Sequence, residues 1–262
     1  DYTLPGEDPL TETYSVGARL LREETTSTQS DSVSLIGRHV VKSGGWIQTR
    51  FVELLHERYE VGSEDSSATL VMPGIGLDRT HSDDLLRPNR GYRLSFEVRG
   101  AYEGLLSTAT FVQLRAGAKG LYRFGSAGRL IGRVRAATTV GDSTFDLPAS
   151  LRFFAGGDNS VRGYEYKSLG PVDDDGEVVG GRHLLVGSIE YEHPVVDDDW
   201  WLAAFVDAGN AFSTDEFDPK VGYGLGVRWY SPIGRVRLDL AFPDQPEDDD
   251  NWRIHFGLGT EL

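Results

Sequence analysis

The chain has 262 residues, with 26 Lys and Arg against 41 Asp and Glu, a formal net charge of −15 and no Cys. Hydrophobic residues make up 39% of it, the mean hydropathy is −0.33, and no run approaches the ~18–20 apolar residues that a spanning helix needs. A transmembrane helix is excluded, but a transmembrane barrel is not, because its strands alternate between lipid and lumen and hide an apolar surface in an average composition.

Alternation of period 2 predicts strands, in chain order, over 13–23, 33–42, 46–60, 68–79, 91–102, 107–124, 127–140, 182–193, 200–212, 220–230, 235–242 and 252–261. That is about twelve, in an all-β antiparallel chain without a convincing helix or sequence repeat. In the fifth, Tyr92, Leu94, Phe96 and Val98 oppose Arg93, Ser95, Glu97 and Arg99; in the seventh, Leu130, Val134 and Ala136 oppose Arg129, Arg133 and Arg135. The last three repeat the pattern: Val221, Tyr223, Leu225, Val227 and Trp229 against Gly222, Gly224, Gly226 and Arg228; Val236, Leu238, Leu240 and Phe242 against Arg235, Arg237 and Asp239; Trp252, Ile254, Phe256 and Leu258 against Arg253, His255, Gly257 and Gly259. A polar face crowded with Arg and Gly suits a wet lumen, and an aliphatic and aromatic face suits lipid.

The connections also alternate. Tight links are expected at 42–45, 125–128 and 231–234, and longer polar ones at 23–31, 61–67, 213–220 and 243–251, with both termini on the tight rim. One connection, 141–181, is far longer than the rest. A long loop without regular structure is usually functional.

That loop carries Val161-Arg162-Gly163-Tyr164, preceded by Phe153-Phe154-Ala155-Gly156-Gly157 and followed by Tyr166-Lys167-Ser168. It resembles the sixth extracellular loop of the BamA/TamA superfamily of outer-membrane assembly and secretion barrels, and its flanks look more narrowly like the TamA branch, the translocation and assembly module. Gly187-Ser188-Ile189-Glu190-Tyr191, Phe205-Val206-Asp207-Ala208-Gly209, Ser231-Pro232-Ile233-Gly234 and the ending Phe256-Gly257-Leu258-Gly259-Thr260-Glu261-Leu262 follow in the family's order, and Ser30-Asp31-Ser32, Ser43-Gly44-Gly45-Trp46 and Arg87-Pro88-Asn89-Arg90-Gly91 precede it. The resemblance spans nearly the whole chain. It implies a barrel of sixteen strands, so that the periplasmic POTRA domains and the first four family strands are expected to be absent here. Closure of twelve strands would join the strand near 14–23 to the one near 252–261.

The resemblance further implies that Arg162 dips into the lumen and pairs with acids at Glu190 and Asp207. Arg suits this, because its planar fork grips carboxylates at two points. Glu190 has the parity opposite to Leu185, Gly187, Ile189 and Tyr191; Asp207 is less clean, sharing its parity with Trp201 and Phe205. The cluster is expected to pin the loop, not to catalyse a reaction.

No other constellation carries chemistry. His39, His56, His81, His183, His193 and His255 lack metal spacing, no nucleophile-elbow pattern appears, and Gly222–Gly226 lies within an alternating strand, where it makes a thin lumen wall. The acidic runs 173–175, 197–199 and 248–250 are expected to be solvated loop charge. No enzyme activity, metal or cofactor is expected, and the acidic balance argues against nucleic acid as a partner. The expected place is the outer membrane of a Gram-negative bacterium. The implied work is assembly or insertion of client outer-membrane proteins through a labile seam at Phe256, Gly257, Leu258 and Gly259. The implied partners are outer-membrane lipid, a TamB-like periplasmic protein and the clients, with self-association if the barrel is incomplete. The alternatives are a passive pore or two-partner-type secretion channel, or a truncated or engineered barrel without activity.

Overall fold

The structure is a computed structural model that describes every residue except 85–86, 105, 143–145, 198, 215, 232–233, 247–250 and 260–261. Thirteen strands form one antiparallel sheet in which each pairs with its sequence neighbours: β1 (Tyr2–Pro5), β2 (Glu12–Glu24), β3 (Thr28–Ser43), β4 (Trp46–Val61), β5 (Glu64–Ser82), β6 (Arg90–Ala101), β7 (Phe111–Arg123), β8 (Arg129–Gly141), β9 (His183–Val196), β10 (Trp200–Phe212), β11 (Lys220–Ser231), β12 (Gly234–Pro243) and β13 (Arg253–Gly259). Among the described residues no helix is long and apolar enough to cross a membrane.

The count exceeds the expected twelve by one. Tyr2–Pro5 is too short to show a period, yet it pairs with β2 from Tyr2 opposite Val16 to Pro5 opposite Thr13. Thirteen is odd, so β1 and β13 run in the same direction, and the expected closure of β2 onto β13 is not formed among the described residues. Antiparallel pairing of the two outer edges would require an odd number of further strands.

Two links expected to be long are short. β2 and β3 are joined by residues 25–27 and β4 and β5 by residues 62–63, because the strands continue through the polar stretches assigned to loops. Conversely, β7 begins at Phe111 rather than near 107: Ser107 and Thr108 turn back onto β5, where the Ser107 hydroxyl accepts from the Val71 amide at 2.9 Å and the Thr108 amide donates to the Thr69 carbonyl at 2.9 Å.

Outward-facing Val52, Leu54, Leu130, Val134, Ile189, Leu202, Val206, Leu225 and Leu240 are exposed, as a lipid-facing wall requires. Tyr122, Tyr191, Trp200 and Trp229 are exposed near the tight rim, with the two Trp rings stacked at 5.6 Å, while Phe217, Tyr223 and Trp252 lie near the other rim. Such bands mark the two membrane interfaces of a barrel.

The inner face has two layers. Near the long-loop rim, Leu55, Leu70, Met72 and Phe111 pack against Leu147 and Leu151 of the loop, and Tyr59, Val61 and Ala68 against Ala149 and Val179. The in–out alternation therefore continues along β4 while the apolar residues change sides: Val52 and Leu54 face out, whereas Tyr59 and Val61 face in and leave His56, Arg58 and Glu60 exposed. The parts of β4 and β5 near the long-loop rim hold the loop by apolar burial, worth ~1.5–3 kcal/mol for each fully buried large side chain. Below this layer the interior is charged.

Candidate functional site

The segment between β8 and β9 folds back between the strands. It builds short antiparallel bridges of its own, Phe153 with Gly181, Ala155 with Leu169 and Val172 with Val178. Glu57 anchors its entry by accepting from the Ser150 amide at 3.1 Å and from the Ser150 hydroxyl, and also takes the Ser30 hydroxyl at 2.8 Å. Arg152 ties the two ends of the segment, donating to the Leu147 carbonyl at 2.9 Å, the Val179 carbonyl at 3.3 Å and Glu64 at 2.8 Å.

At the tip, Val161 and Tyr164 pack with Ala155, Leu169 and Val186. This seats the Arg162 side chain in the charged layer, where it is 2% exposed. Its Nε donates to Asp207 Oδ2 at 2.7 Å and its Nη2 to Asp207 Oδ1 at 2.9 Å, a two-point grip. Its Nη1 donates to Glu190 at 2.9 Å and to Asp239 at 3.0 Å, and its backbone amide to Asp207 Oδ2 at 3.1 Å. The guanidinium carbon stands 3.4 Å from the Phe205 ring centroid. Trp201, Phe205 and Asp207 are all buried on the same face of β10, so the aromatic that clouded Asp207's parity is the floor on which Arg162 lies.

The sequence reading placed one Arg and two acids here; the structure brings together eight charged residues. Arg228 reaches Glu190 at 2.8 Å, Glu192 at 3.3 Å and Asp239. Arg235 contacts Glu190 at 3.3 Å and also Glu192. Arg129 donates through Nε to Glu192 at 3.0 Å and through Nη1 to the Pro88 carbonyl at 3.0 Å, and also contacts the Tyr230 hydroxyl. Arg129, Arg162, Arg228 and Arg235 thus balance Glu190, Glu192, Asp207 and Asp239, and all eight are buried. Equal numbers matter, because an unpaired buried charge costs several kcal/mol. Parity puts the added acids on the lumen face, Glu192 beside Glu190 and Asp239 as the lone acid among the Arg residues of β12, but does not say which Arg meets them.

Two glycines make the seat. Gly163 has φ +97°, and a Cβ there would stand 2.9 Å from the backbone of Phe242 and Pro243. A Cβ on Gly222, in β11, would overlap the Arg162 carbonyl oxygen. The glycines of β11 are therefore more than a thin wall, because Gly222 is the surface against which the loop backbone rests.

Among the histidines, His255 belongs to the site, which the sequence reading did not assign: its Nε2 accepts the Gly163 amide at 3.0 Å and its ring contacts Asp158. No group of three potential metal ligands occurs among the described residues. Of the acidic runs, Asp173 caps its own turn, accepting the Asp175 amide at 3.1 Å and the Glu177 amide at 2.9 Å, whereas 248–250 and Asp198 lie outside the described residues. Phe256, Gly257, Leu258 and Gly259 lie on β13 opposite Leu238, Arg237, Val236 and Arg235 of β12. Among the described residues the other edge of this strand has no partner strand.

A latch holds the tip from the rim. The Tyr164 hydroxyl donates to Asp244 at 2.7 Å, and the Val221 amide donates to the same oxygen at 3.0 Å. Burial acts to raise the Asp244 pKa, but the Tyr164 hydroxyl and nearby backbone amides outweigh it and hold the carboxyl below its ordinary value. A depressed carboxyl contributes above its unfolded pKa and ceases to as pH falls through the folded one. Protection of the amides around Tyr164, taken relative to the intrinsic exchange rate at each pH, is therefore expected to fall on acidification below about pH 4, and Tyr164→Phe to flatten that pH dependence. An equally steep pH dependence in the variant would contradict the latch.

The Omp85 superfamily domain matches residues 9–262. The outer membrane protein assembly factor BamA of Nitratidesulfovibrio vulgaris is 34% identical over 141 residues, a match covering 50% of this chain and 18% of that protein. In structure, BamA from Haemophilus ducreyi lacking POTRA domains 1–3 superposes with a TM-score of 0.81 at 15% identity, over 97% of this chain and 59% of that one. CdiB from Acinetobacter baumannii superposes with a TM-score of 0.62 at 14% identity, over 94% of this chain and 46% of that one. The chain thus spans well under a third of the curated relative and little more than half of the more similar of these two solved barrels. With the Arg162 loop, the lipid-facing wall and the interface aromatics, these likenesses establish that the chain belongs to the Omp85 superfamily of integral outer-membrane β-barrel proteins.

Proposed function

We propose that this chain is barrel wall of an outer-membrane protein assembly and insertion factor, working without catalytic residues through a labile seam. The observation that carries the reading is the free edge of β13. It is seven residues long, is paired on one side only among the described residues, and contains Gly257 and Gly259, which give little side-chain packing. Unpaired amides and carbonyls on such an edge can template an incoming strand. The name of the N. vulgaris relative, an assembly factor, supports the same reading. The client is an outer-membrane protein strand, and lipid contacts the apolar outer face.

The Arg162 network is the structural pin that sets the barrel's conformation while the seam changes. The finer assignment is the TamA branch with a TamB-like periplasmic partner, supported by Phe153–Gly157 and Tyr166–Ser168 flanking the motif. The wall is part of a sixteen-stranded barrel preceded by POTRA domains: three further strands would make the outer edges antiparallel. A chain without them would satisfy its edges by self-association.

Single Cys residues placed along 254–258 test the seam cleanly, because the chain has no Cys of its own. With a Cys-bearing client arrested during assembly, disulfides are expected at alternate positions of β13 and none at control sites on β6. Absence of crosslinks, or equal yields on β6, would remove the seam from the mechanism. A second reading, a passive pore or two-partner-type channel, is favoured by the Arg-lined interior. It requires steady single-channel conductance and a dedicated secreted passenger, neither of which an assembly barrel needs.

A further inference from the structure

Below the apolar layer and beside the Arg162 network lies a cavity of about 1030 Å³, at the upper end of the ~300–1,000 Å³ typical of ligand sites. Its wall includes Arg115 of β7 and Arg135 of β8. Arg115 lies opposite Ala137 and Arg135 opposite Gly117, so the two are diagonal neighbours on the lumen face. Each has a buried Nε without a hydrogen-bond partner. Across the β6–β7 pair, Glu97 stands opposite Arg115, and its Oε1 is also buried without a hydrogen-bond partner, 3.8 Å from Arg99 Nε. Two guanidinium groups and one carboxylate thus line one space with part of their hydrogen-bonding capacity unused.

The cavity reaches the seam, where Arg253, Ile254 and His255 of β13 line it, and Phe153, Phe154 and Tyr166 of the loop give it an apolar side. We infer that this cavity binds an acidic segment of another polypeptide, whose carboxylates pair with Arg115 and Arg135 and whose amide or cationic donors satisfy Glu97. A compact phosphate would suit the two guanidinium groups but would offer Glu97 no donor and leave the aromatic side empty. A peptide carries donors, acceptors and apolar groups at strand spacing, and the free edge of β13 gives its backbone a partner along the cavity's border. The inference rests on the reading that the barrel handles other polypeptides, and it names a chemical class for the segment that enters.

The test uses the folded barrel in detergent and a dye-labelled nonapeptide of alternating Asp and Thr, followed by fluorescence anisotropy. Saturable, salt-sensitive binding is expected; it should weaken about tenfold or more in the Arg115→Gln/Arg135→Gln double variant, as loss of a charge-assisted pair implies, and survive largely in the Lys double variant. A Lys counterpart of the peptide should not bind, and pyrophosphate should compete poorly. No saturable binding, indifference to the double Gln substitution, or displacement by pyrophosphate as effective as by unlabelled peptide would overturn the inference. Should the double Gln variant fail to fold, a photoreactive version of the peptide on the unaltered protein decides: labelling of cavity residues supports it, and labelling confined to the outer face overturns it. Failure here leaves the β13 crosslinking experiment untouched, so the cavity and the seam stand or fall separately.

Discussion

Arg162→Ala is expected to cost about 3–5 kcal/mol, the range for breaking a buried ion pair by removing one partner, and to abolish the compact form seen as a heat-dependent shift in gel mobility. The size follows from what is left behind. Asp207 is fully buried and takes three hydrogen bonds from Arg162, so its charge would stay in the interior without its main partner. Glu190 and Asp239 keep Arg228, which is why Asp207 is the residue most exposed to the loss. Arg162→Lys restores the charge but not the two-point grip or the flat contact on Phe205, and is expected to recover only part of the stability. Strand content by circular dichroism should change little, because the ladder β2 to β13 does not pass through the loop. An Arg162→Ala barrel with unaltered mobility shift and midpoint would contradict the pin.

Gly222→Ala is the second large effect, expected at about 1–3 kcal/mol or more from overpacking alone. The added methyl would overlap the carbonyl oxygen of Arg162, a backbone atom held on both sides by Val161 packing and the Gly163 contacts, so the loop must lift. The internal control is Gly132→Ala in β8, where a Cβ would meet nothing within 4 Å. Proteolysis of the 141–181 segment should rise sharply in the first variant and stay unchanged in the second. Equal protection in both would mean that Gly222 is not the seat of the loop.

Much of the wall was legible because lipid on one side and charge on the other impose a strict period of two. The strand expected at 200–212 is Trp200–Phe212, and that expected at 220–230 is Lys220–Ser231. Legibility failed where one physical premise did, namely that the inner face is polar throughout. Leu55, Tyr59 and Val61 of β4 make the inner face apolar near the long-loop rim, and the polar residues Glu64, Asp65, Ser66 and Ser67 read as loop when they are strand, paired with Val61, Glu60, Tyr59 and Arg58. β1 escaped because four residues cannot show a period, and pairing with β2 defines it.

At the site, the motif drew attention to Arg162 and the resemblance to Glu190 and Asp207, with parity supporting Glu190. The rest of the network was hidden by register. Which lumen Arg meets which acid depends on the stagger of β9 through β12, set by pairings such as Phe205 opposite Glu190 and Gly226 opposite Asp239. Spacing within any single strand does not contain that information. His255 was passed over because a lone histidine has no spacing to read, and its role comes only from the amide of Gly163 reaching it from the loop.

The most direct test of the pin is a double-mutant cycle between Arg162 and Asp207 in the folded barrel, each changed to Ala singly and together, with unfolding followed in urea. Strong non-additivity is expected, the double variant being little less stable than the Arg162→Ala variant and the coupling amounting to about 2 kcal/mol or more, within the range for contacting residues. Simple addition of the two single effects would show that the loop is not held by this pair and would contradict the account.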